Sequence, residues 1–263
     1  KIMLDVSHVT KKYKKTVACN DASLQIQDGK IGILLGPNGA GKTTMLRCIT
    51  GMLKWKSGKS LLDGEDISPM QSKKLWSKMA YVPQAKSVSA AYTALEMVLL
   101  GRSSLLNIFE APKKQDVDKA MEVLEFLGIS RLADKKCSEV SGGELQMILI
   151  AKALASDPKV LILDEPESNL DFKNQLIILD TIERLAQEHQ ISCIINTHYP
   201  AHALRVAHKS LILSKNKEWF WGESKKVINE VNMEKAFDVK VAIESLNIQG
   251  EQHTYVVPVS FTK

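Results

Sequence analysis

The sequence predicts an α/β fold with a mostly parallel sheet, an antiparallel β subdomain and an inserted helical subdomain. Two observations favour this class. Short apolar runs rich in β-branched residues alternate with segments of helical periodicity, which is the pattern of strand–helix–strand units. One long stretch in the middle of the chain departs from that alternation and is helical almost throughout. With 263 residues, the chain is long enough to bury a sizeable core as one domain, 1–263.

Four apolar runs are predicted to be strands of the parallel sheet. Their residues are apolar at successive positions, so both faces of each strand are expected to be buried. The runs are "IGILLG" at Ile31–Gly36, "VLILDE" at Val160–Glu165, "ISCIINT" at Ile191–Thr197 and "SLILS" at Ser210–Ser214.

The helical stretch lies between Gln84 and about Pro158. The segments "TALEMVLLG", "DVDKAMEVLEFLG" and "GGELQMILIAKALA" carry apolar residues three and four positions apart. We therefore expect an α/β core over 1–84 and 158–224, a helical subdomain over 85–157 and a C-terminal segment over 225–263. In that last segment the sequence predicts a short helix followed by the strands "VAIES" and "TYVVPV".

Composition and charge argue against several classes of protein. The chain is 44% hydrophobic and 25% charged with a net charge of +5, and its lysines are scattered apart from "KKYKK" at Lys11–Lys15. A solvated basic edge explains that run better than a nucleic-acid patch, so we expect no nucleic-acid partner. The four cysteines form no C-x-x-C pair, which favours a reducing cytoplasm over a zinc site or a disulfide framework. No apolar run approaches the roughly 18 residues of a membrane span and the start lacks a signal-peptide pattern, so we expect any membrane link to come through a partner.

The strongest chemical signal is "GPNGAGKTT", which follows a predicted buried strand and precedes a predicted helix. It satisfies the pattern G-x-x-x-x-G-K-Ser/Thr of a phosphate-binding loop. Backbone N–H groups of such a loop donate to phosphates, the lysine reaches the β- and γ-phosphates, and the following threonine binds Mg²⁺. We therefore predict a core of the P-loop NTPase type. The predicted ATP-binding residues of the loop are Gly36, Pro37, Asn38, Gly39, Ala40, Gly41, Lys42, Thr43 and Thr44, with Thr43 also a Mg²⁺ ligand.

Two adjacent carboxylates supply the second half of a nucleotide site. Asp164 ends a predicted strand, where its carboxylate can hold Mg²⁺ directly or through water. Glu165 beside it can orient and deprotonate the attacking water. Two neighbouring carboxylates are costly to keep ionised together unless a cation neutralises them, which also favours a Mg²⁺ site.

Together these residues resemble the nucleotide-binding subunit of an ABC transporter, and the resemblance covers nearly the whole chain. The phosphate loop, "VSGGELQ", "VLILDEPESNLD" and "NTH" follow one another in the order of that family. Glu167 occupies the place of the threonine in the "EPTS" that family members often carry, directly before Ser168. The resemblance implies an ATPase that uses ATP and Mg²⁺.

The resemblance also implies roles for residues outside the two motifs. Gln84 in "YVPQ" resembles the glutamine that senses Mg²⁺ and the attacking water, and that connects the core to the helical subdomain. His198 in "NTH" resembles the switch histidine that contacts the γ-phosphate and supports Glu165. Tyr13 resembles the aromatic residue that stacks on adenine, and Asp171 in "SNLD" resembles the aspartate that is used across a dimer interface.

The stretch "VSGGELQM" poses a separate question. Ser141 and Glu144 have the spacing of a capping box, but Gly142 and Gly143 weaken the first helical turn by about 1 kcal/mol each relative to alanine. A helix start with exposed N–H groups and little side-chain bulk is an anion site, and one chain does not need two such cradles for one nucleotide. The resemblance agrees, since two copies of such a subunit sandwich two ATP molecules. It places Ser141, Gly142 and Gly143 of one copy at the ATP bound by the other.

The resemblance implies further partners and a location. These are transmembrane permease subunits and, indirectly, a substrate-binding protein, with the chain held peripherally at the cytoplasmic face of the cell membrane. The segment from Glu96 to Ile129 is similar to that of importers for iron–siderophore, haem and cobalamin, a subgroup that also includes molybdate importers.

Two other kinds of ABC ATPase remain as alternatives. A soluble ATPase of the iron–sulfur-assembly type would share every nucleotide motif but act on a protein scaffold. The importer-like segment disfavours it. A chromosome-type ATPase would separate the phosphate loop from "VSGGELQ" by a long coiled coil, and here only a small subdomain fits between them.

Overall fold

The computed structural model describes residues 1–13, 16–85, 91–104 and 112–262. The chain forms two compact units. The first contains Lys1–Pro69 and Ile194–Lys263, and the second contains Met70–Cys193. The boundaries expected at 84/85, 157/158 and 224/225 stay a prediction.

The described strands and helices follow the alternation expected from the sequence. The strands are β1 (Ile2–Tyr13), β2 (Thr16–Gln27), β3 (Ile31–Leu35), β4 (Ser57–Leu62), β5 (Glu65–Asp66), β6 (Met79–Val82), β7 (Val160–Asp164), β8 (Ser192–Thr197), β9 (Lys209–Leu213), β10 (Trp219–Glu223), β11 (Val239–Ile248) and β12 (Glu251–Phe261). The α-helices are α1 (Lys42–Ile49), α2 (Ser72–Lys78), α3 (Ala94–Leu99), α4 (Lys114–Phe126), α5 (Gly142–Leu154), α6 (Phe172–His189), α7 (Pro200–Val206), α8 (Ser224–Val227) and α9 (Glu230–Phe237). Short 3₁₀ turns cover Leu100–Ser104, Ser130–Leu132 and Cys137–Glu139.

The first unit contains an antiparallel sheet with the strand order β2-β1-β4-β5. Strand β1 pairs antiparallel with both β2 and β4, and its Leu4, Val6 and Val9 are buried. The sheet thus has the apolar inner face that an antiparallel sheet needs in order to pack on a core. It confirms the predicted antiparallel β subdomain.

The same unit contains the strands that lead to the phosphate loop, in the order β10-β9-β3-β8. Strands β3 and β9 are parallel, with Leu35 beside Ile212, and every residue of β3 and β8 is buried. Burial on both faces explains the continuous apolar runs, as predicted. Strand β10 was not expected from the sequence. It adds an antiparallel edge, and its tryptophans are only half-buried.

The second unit pairs β6 and β7 in parallel, with Val82 beside Leu163. Helices α3, α4 and α5 lie in the stretch of predicted helical periodicity. Gly128 ends the turn after α4 with φ 70°, and the Ile129 N–H donates to Leu124 O at 2.9 Å. That left-handed glycine and its bond are the usual way for a helix to stop.

A buried ion pair braces these helices. Arg102, from the 3₁₀ turn after α3, contacts Asp116 of α4 with its Nε 3.0 Å from Oδ1. Its Nη1 also donates to the Ala155 carbonyl at the end of α5, at 2.9 Å. Gly101 beside it has no room for a side chain, because a Cβ there would collide with the Lys152 carbonyl. One arginine therefore ties three helices together.

The C-terminal segment carries the expected helix and strands. Helix α9 packs against β11, and β11 and β12 form a hairpin that turns at Gln249 and Gly250, both with positive φ. Among the helices that the structure describes, none is both long enough and apolar enough to cross a membrane.

The ion pair between Arg102 and Asp116 should make the melting temperature of the protein depend on pH in the acid range. The Lys113 backbone N–H and the Arg102 guanidinium hold the pKa of Asp116 below its ordinary value. Asp116 thus stabilises the fold above its unfolded-state pKa of about 3.9, and this contribution is lost as the pH falls through its lower folded-state pKa. We expect Asp116→Asn to lower the melting temperature at pH 7, with the gap from wild type narrowing below about pH 4.

Asp118→Asn is the matched control. Asp118 is exposed on the same helix, so the same change of charge there leaves the melting temperature close to wild type at every pH. A constant gap between wild type and Asp116→Asn from pH 7 to pH 3 would contradict the electrostatic account.

Candidate nucleotide-binding site

The phosphate loop lies between buried β3 and the start of α1. Gly41 is the N-cap residue of α1, and no side chain caps this helix start. The N–H groups of the first turn have no partner within the helix, so they are suited to an anion. This arrangement is the strand–loop–helix context that the sequence predicts.

Lys42 holds the loop in its folded shape. The side chain is only 5% exposed, and its Nζ donates to the carbonyls of Gly36 at 2.6 Å and Pro37 at 3.2 Å. The ammonium group is therefore already inside the loop, where a phosphate would meet it. Lys217 adds a second positive charge at this loop, because its Nζ donates to the Ala40 carbonyl at 3.4 Å.

Two of the loop glycines are required by close approach of the backbone. Gly41 has φ 105°, and a Cβ there would collide with the Ala18 carbonyl. A Cβ on Gly36 would collide with the Leu213 carbonyl in the same way. The backbone of the loop thus packs closely against neighbouring strands. Its N–H groups remain available to a ligand.

The end of β8 approaches the same loop. Asn196 is buried, and its Nδ2 donates to the Thr43 hydroxyl oxygen at 3.3 Å. His198 follows directly after the strand and is half-buried, with its ring 4.1 Å from that of Tyr199. The structure therefore brings the "NTH" segment beside the threonine of the loop. Asn196 was not singled out from the sequence.

The second unit places the two predicted carboxylates at the end of β7. Tyr81 of β6 donates its hydroxyl to Asp164 Oδ2 at 2.7 Å, because β6 and β7 are parallel neighbours. Gln84 follows β6 two residues after its end and is half-buried. Asp164 and Gln84 therefore leave the sheet at the same edge. Tyr81 was missed, although it lies three residues before Gln84 in "YVPQ".

Glu165 has an unusual backbone and a fixed side chain. Its φ is 48°, in the left-handed region that non-glycine residues rarely occupy. The Ser168 hydroxyl donates to Glu165 Oε2 at 3.1 Å, and the Ser168 N–H donates to the Glu165 carbonyl at the same distance. Strained residues of this kind cluster at functional sites. The serine that this sequence shares with "EPTS" is thus in position to orient Glu165, and the departure lies at Glu167.

The helix start at "VSGGELQM" is a complete capping box. The Ser141 hydroxyl accepts from the Glu144 N–H at 3.3 Å, and Glu144 Oε2 accepts from the Ser141 N–H at 2.9 Å. The Ser141 backbone N–H and the Arg131 guanidinium keep the pKa of Glu144 below its ordinary value. Ser141 uses its hydroxyl oxygen as an acceptor here, so its hydroxyl proton stays available for another acceptor.

The two glycines of this turn differ in their surroundings. Gly143 is buried against the start of α6, where a Cβ would lie 2.9 Å from the Asn174 Cβ and closer still to the rest of that side chain. Gly142 is exposed, and a Cβ there would meet Leu170 at an ordinary 3.5 Å. Asp171 caps α6 by accepting from the Asn174 N–H at 2.8 Å. The structure therefore joins the Ser141–Gly143 turn and Asp171 through Asn174, which the sequence did not indicate.

Tyr13, the residue predicted to stack on adenine, ends β1, but its side chain lies outside what the structure describes.

Over the described ranges, no group of three or more His, Cys, Asp or Glu side chains is arranged to hold a metal ion by itself. A Mg²⁺ ion that binds together with a nucleotide takes part of its oxygen ligands from the phosphates. The hydroxyl of Thr43 and the carboxylate of Asp164 are the hard oxygen ligands that Mg²⁺ prefers.

The chain is similar to known proteins both in sequence and in structure. The family described as ABC transporter matches residues 19–168. A molybdate import ATP-binding protein of Haemophilus influenzae is 33% identical over 90% of this chain and 88% of its own length. A solved structure described as an inward-facing, metal-chelate type ABC transporter is 31% identical, with a TM-score of 0.89 over 98% of each chain. A dimeric ATP-binding cassette solved with ADP and Pi is 27% identical, with a TM-score of 0.72 over 84% of this chain and 99% of that one.

The difference between the two glycines predicts opposite effects of the same substitution. Gly143→Ala forces the starts of α5 and α6 apart, and we expect it to destabilise the protein by about 1–3 kcal/mol. Gly142→Ala meets no obstacle and improves helix propensity, so it should be neutral or stabilising by up to about 1 kcal/mol. Chemical denaturation of the two variants measures both values. Equal destabilisation by both substitutions would show that the contact with Asn174 is not what requires Gly143.

Proposed function

We propose, from the premise that this chain belongs to the ABC transporter family, that it is the ATP-hydrolysing subunit that powers a membrane importer. As a member of this family the chain is an ATPase. The observation that carries the proposal is the presence of two glycine-rich helix starts, one with a lysine inside its loop and one without. Of these two, only the Lys42 loop can neutralise a triphosphate held by the same chain. The Ser141–Gly143 turn is the part of a site that a second chain completes.

The loop from Gly36 to Thr44 would hold the phosphates of ATP. Its backbone N–H groups donate to the β- and γ-phosphates, and the ammonium of Lys42 exchanges loop carbonyls for phosphate oxygens. Tyr13 would stack on the adenine, for which an aromatic face is suited.

The magnesium ion would be held by Thr43, Asp164 and Gln84. When bound, it supplies positive charge that neutralises the phosphates. Asn196 keeps the Thr43 hydroxyl in place, and Tyr81 does the same for Asp164. Two of the proposed ligands, Thr43 and Asp164, are therefore each oriented by a neighbouring side chain.

Glu165 would be the general base that deprotonates the attacking water. Ser168 and the strained backbone orient its carboxylate, and His198 would contact the γ-phosphate. Gln84 would help to position the same water. Hydrolysis then removes the γ-phosphate.

A second copy of the chain would complete each site in an ATP-sandwich homodimer. Ser141, Gly142 and Gly143 of one copy would face the γ-phosphate held by the other, and Asp171 would lie at the interface. ATP then bridges the copies, and hydrolysis removes the bridging contacts so that the dimer opens. The dimeric cassette solved with ADP and Pi supports this arrangement.

Opening and closing would act on transmembrane permease subunits that hold the chain at the cytoplasmic face of the cell membrane. We propose as cargo a metal chelate of the iron–siderophore, haem or cobalamin class, or a related oxyanion such as molybdate. The similarity to a molybdate import protein and to a metal-chelate type transporter supports this range. A substrate-binding protein would deliver the cargo to the permease. A soluble ATPase acting on a protein scaffold is disfavoured, because these relatives are described as transport proteins.

Reconstitution tests the importer function. The chain is combined in proteoliposomes with the permease encoded next to it, and uptake of iron–siderophore, cobalamin and molybdate is measured with ATP inside. We expect ATP-dependent uptake of one of these compounds and stimulation of ATPase activity by its binding protein. Lack of association with the permease, together with ATPase activity that none of the cargoes changes, would contradict the proposal.

The assignment of Glu165 predicts the behaviour of Glu165→Gln. The amide cannot accept the proton of the water, so kcat should fall by roughly 10²–10⁴-fold while ATP binding is kept. The variant should accumulate as an ATP-bound dimer, which light scattering detects. Glu188→Gln on the exposed face of α6 is the control and should hydrolyse ATP at the wild-type rate. Normal hydrolysis by Glu165→Gln would mean that another group is the base.

A further inference from the structure

Gln146 is a buried polar side chain that the nucleotide motifs leave without a role. It lies in the second turn of α5 and is 1% exposed. Its Oε1 accepts a hydrogen bond from the Ala85 backbone N–H at 3.0 Å. Because a backbone N–H can only donate, this bond fixes which end of the amide faces Ala85.

The other end of the same amide is not satisfied. The Gln146 Nε2 is buried and has no hydrogen-bond partner among the residues that the structure describes. A buried donor without a partner costs folding free energy, and a methionine of similar length would fill this place without that cost. Packing alone therefore does not explain a glutamine here, whereas the bond to Ala85 does.

The residue that Gln146 holds follows Gln84 directly. On the other side of Gln84, the chain is held by β6, which pairs with β7 and packs against α5. The backbone is thus held on both sides of Gln84. Among the described residues, the hydrogen bond to Gln146 is the side-chain contact that holds Ala85. The amide oxygen of Gln84 can meet an ion or a water reproducibly only if this short segment stays in place.

We infer that Gln146 is a positioning residue for Gln84, an inference that rests on the proposed role of Gln84 at Mg²⁺ and the attacking water. Gln146 has no proposed contact with the nucleotide or the attacking water. It acts through the Ala85 backbone, and it does so from the helix whose first turn is Ser141–Gly143. Helix α5 therefore contains both the turn proposed to contact the ATP of a second copy and Gln146, which holds the segment proposed to contact the chain's own ATP site.

Three variants of the full-length protein test this role. Gln146→Met removes the acceptor and keeps the side-chain length, Gln146→Glu keeps an acceptor oxygen for Ala85, and Met147→Leu is a control for repacking the same buried helix. ATPase activity is measured as a function of Mg²⁺ concentration, together with the affinity for a non-hydrolysable ATP analogue and the melting temperature.

We expect Gln146→Met to raise the half-activating Mg²⁺ concentration and lower kcat, each roughly three- to tenfold, as for the loss of one positioning hydrogen bond. Affinity for the analogue in the absence of Mg²⁺ should stay within about twofold, since the phosphate loop is untouched. Gln146→Glu should restore the Mg²⁺ dependence, and Met147→Leu should match wild type. If buried charge prevents Gln146→Glu from folding, the Mg²⁺ curve of Gln146→Met decides the question alone.

A purely structural role for Gln146 gives a different result. Gln146→Met would then lower the melting temperature and the amount of active protein, but the half-activating Mg²⁺ concentration would equal that of wild type. That outcome overturns the inference. Glu165→Gln, measured in parallel, separates this failure from failure of the proposed function, because an active Glu165→Gln would remove the proposed site itself.

Discussion

The candidate site depends on backbone N–H groups that are left open at two helix starts. At α1 the chain has a glycine as N-cap and no side-chain cap, so the N–H groups of the first turn are available to a ligand. At α5 a serine caps the turn and two glycines follow it. Both starts give up helix stability, since each glycine in the first turn of α5 costs about 1 kcal/mol and a glycine in place of a side-chain N-cap costs α1 a few tenths of a kcal/mol. The surrounding packing has to restore what the turns lose.

In the second unit, that packing comes from α5 itself. Most of its residues are buried, including those on faces that a surface helix would expose. Its first turn packs on Asn174, its second turn holds Ala85 through Gln146, and its end is tied to Arg102 and Asp116. A helix fixed at three points along its length can hold an open, glycine-rich N-terminus in one position. Helix α5 thus supports both the Ser141–Gly143 turn and the segment that contains Gln84.

The sequence was sufficient for the fold class, for four buried strands of the sheet and for the strand–loop–helix context of the phosphate loop. Apolar runs such as that of β3 identify buried strands because burial on both faces removes every polar position. Motif residues are identified because glycine, lysine and paired carboxylates have few other uses in such contexts. Asn196, Tyr81 and Asn174 could not be identified in this way, because each acts by a hydrogen bond or close contact with a residue far away in sequence. Their residue types are common in loops and strand ends, and only the pairing of strands and helices brings them to the site. Strand β10 was missed because its half-buried aromatic residues lack the continuous apolar run.

The stretch "VSGGELQM" shows how one turn can serve two purposes. The capping box is formed, so the spacing of Ser141 and Glu144 has a structural meaning. It does not compete with anion binding, because capping uses the serine oxygen and the glutamate carboxylate, whereas a phosphate needs the serine proton and the backbone N–H groups. The presence of glycine at the two positions also has a different explanation in each case. Gly143 is excluded from carrying a side chain by Asn174, while nothing nearby obstructs Gly142. A glycine at the exposed position therefore has no explanation within the chain's own described packing, and the proposed contact with a second chain's nucleotide would explain it.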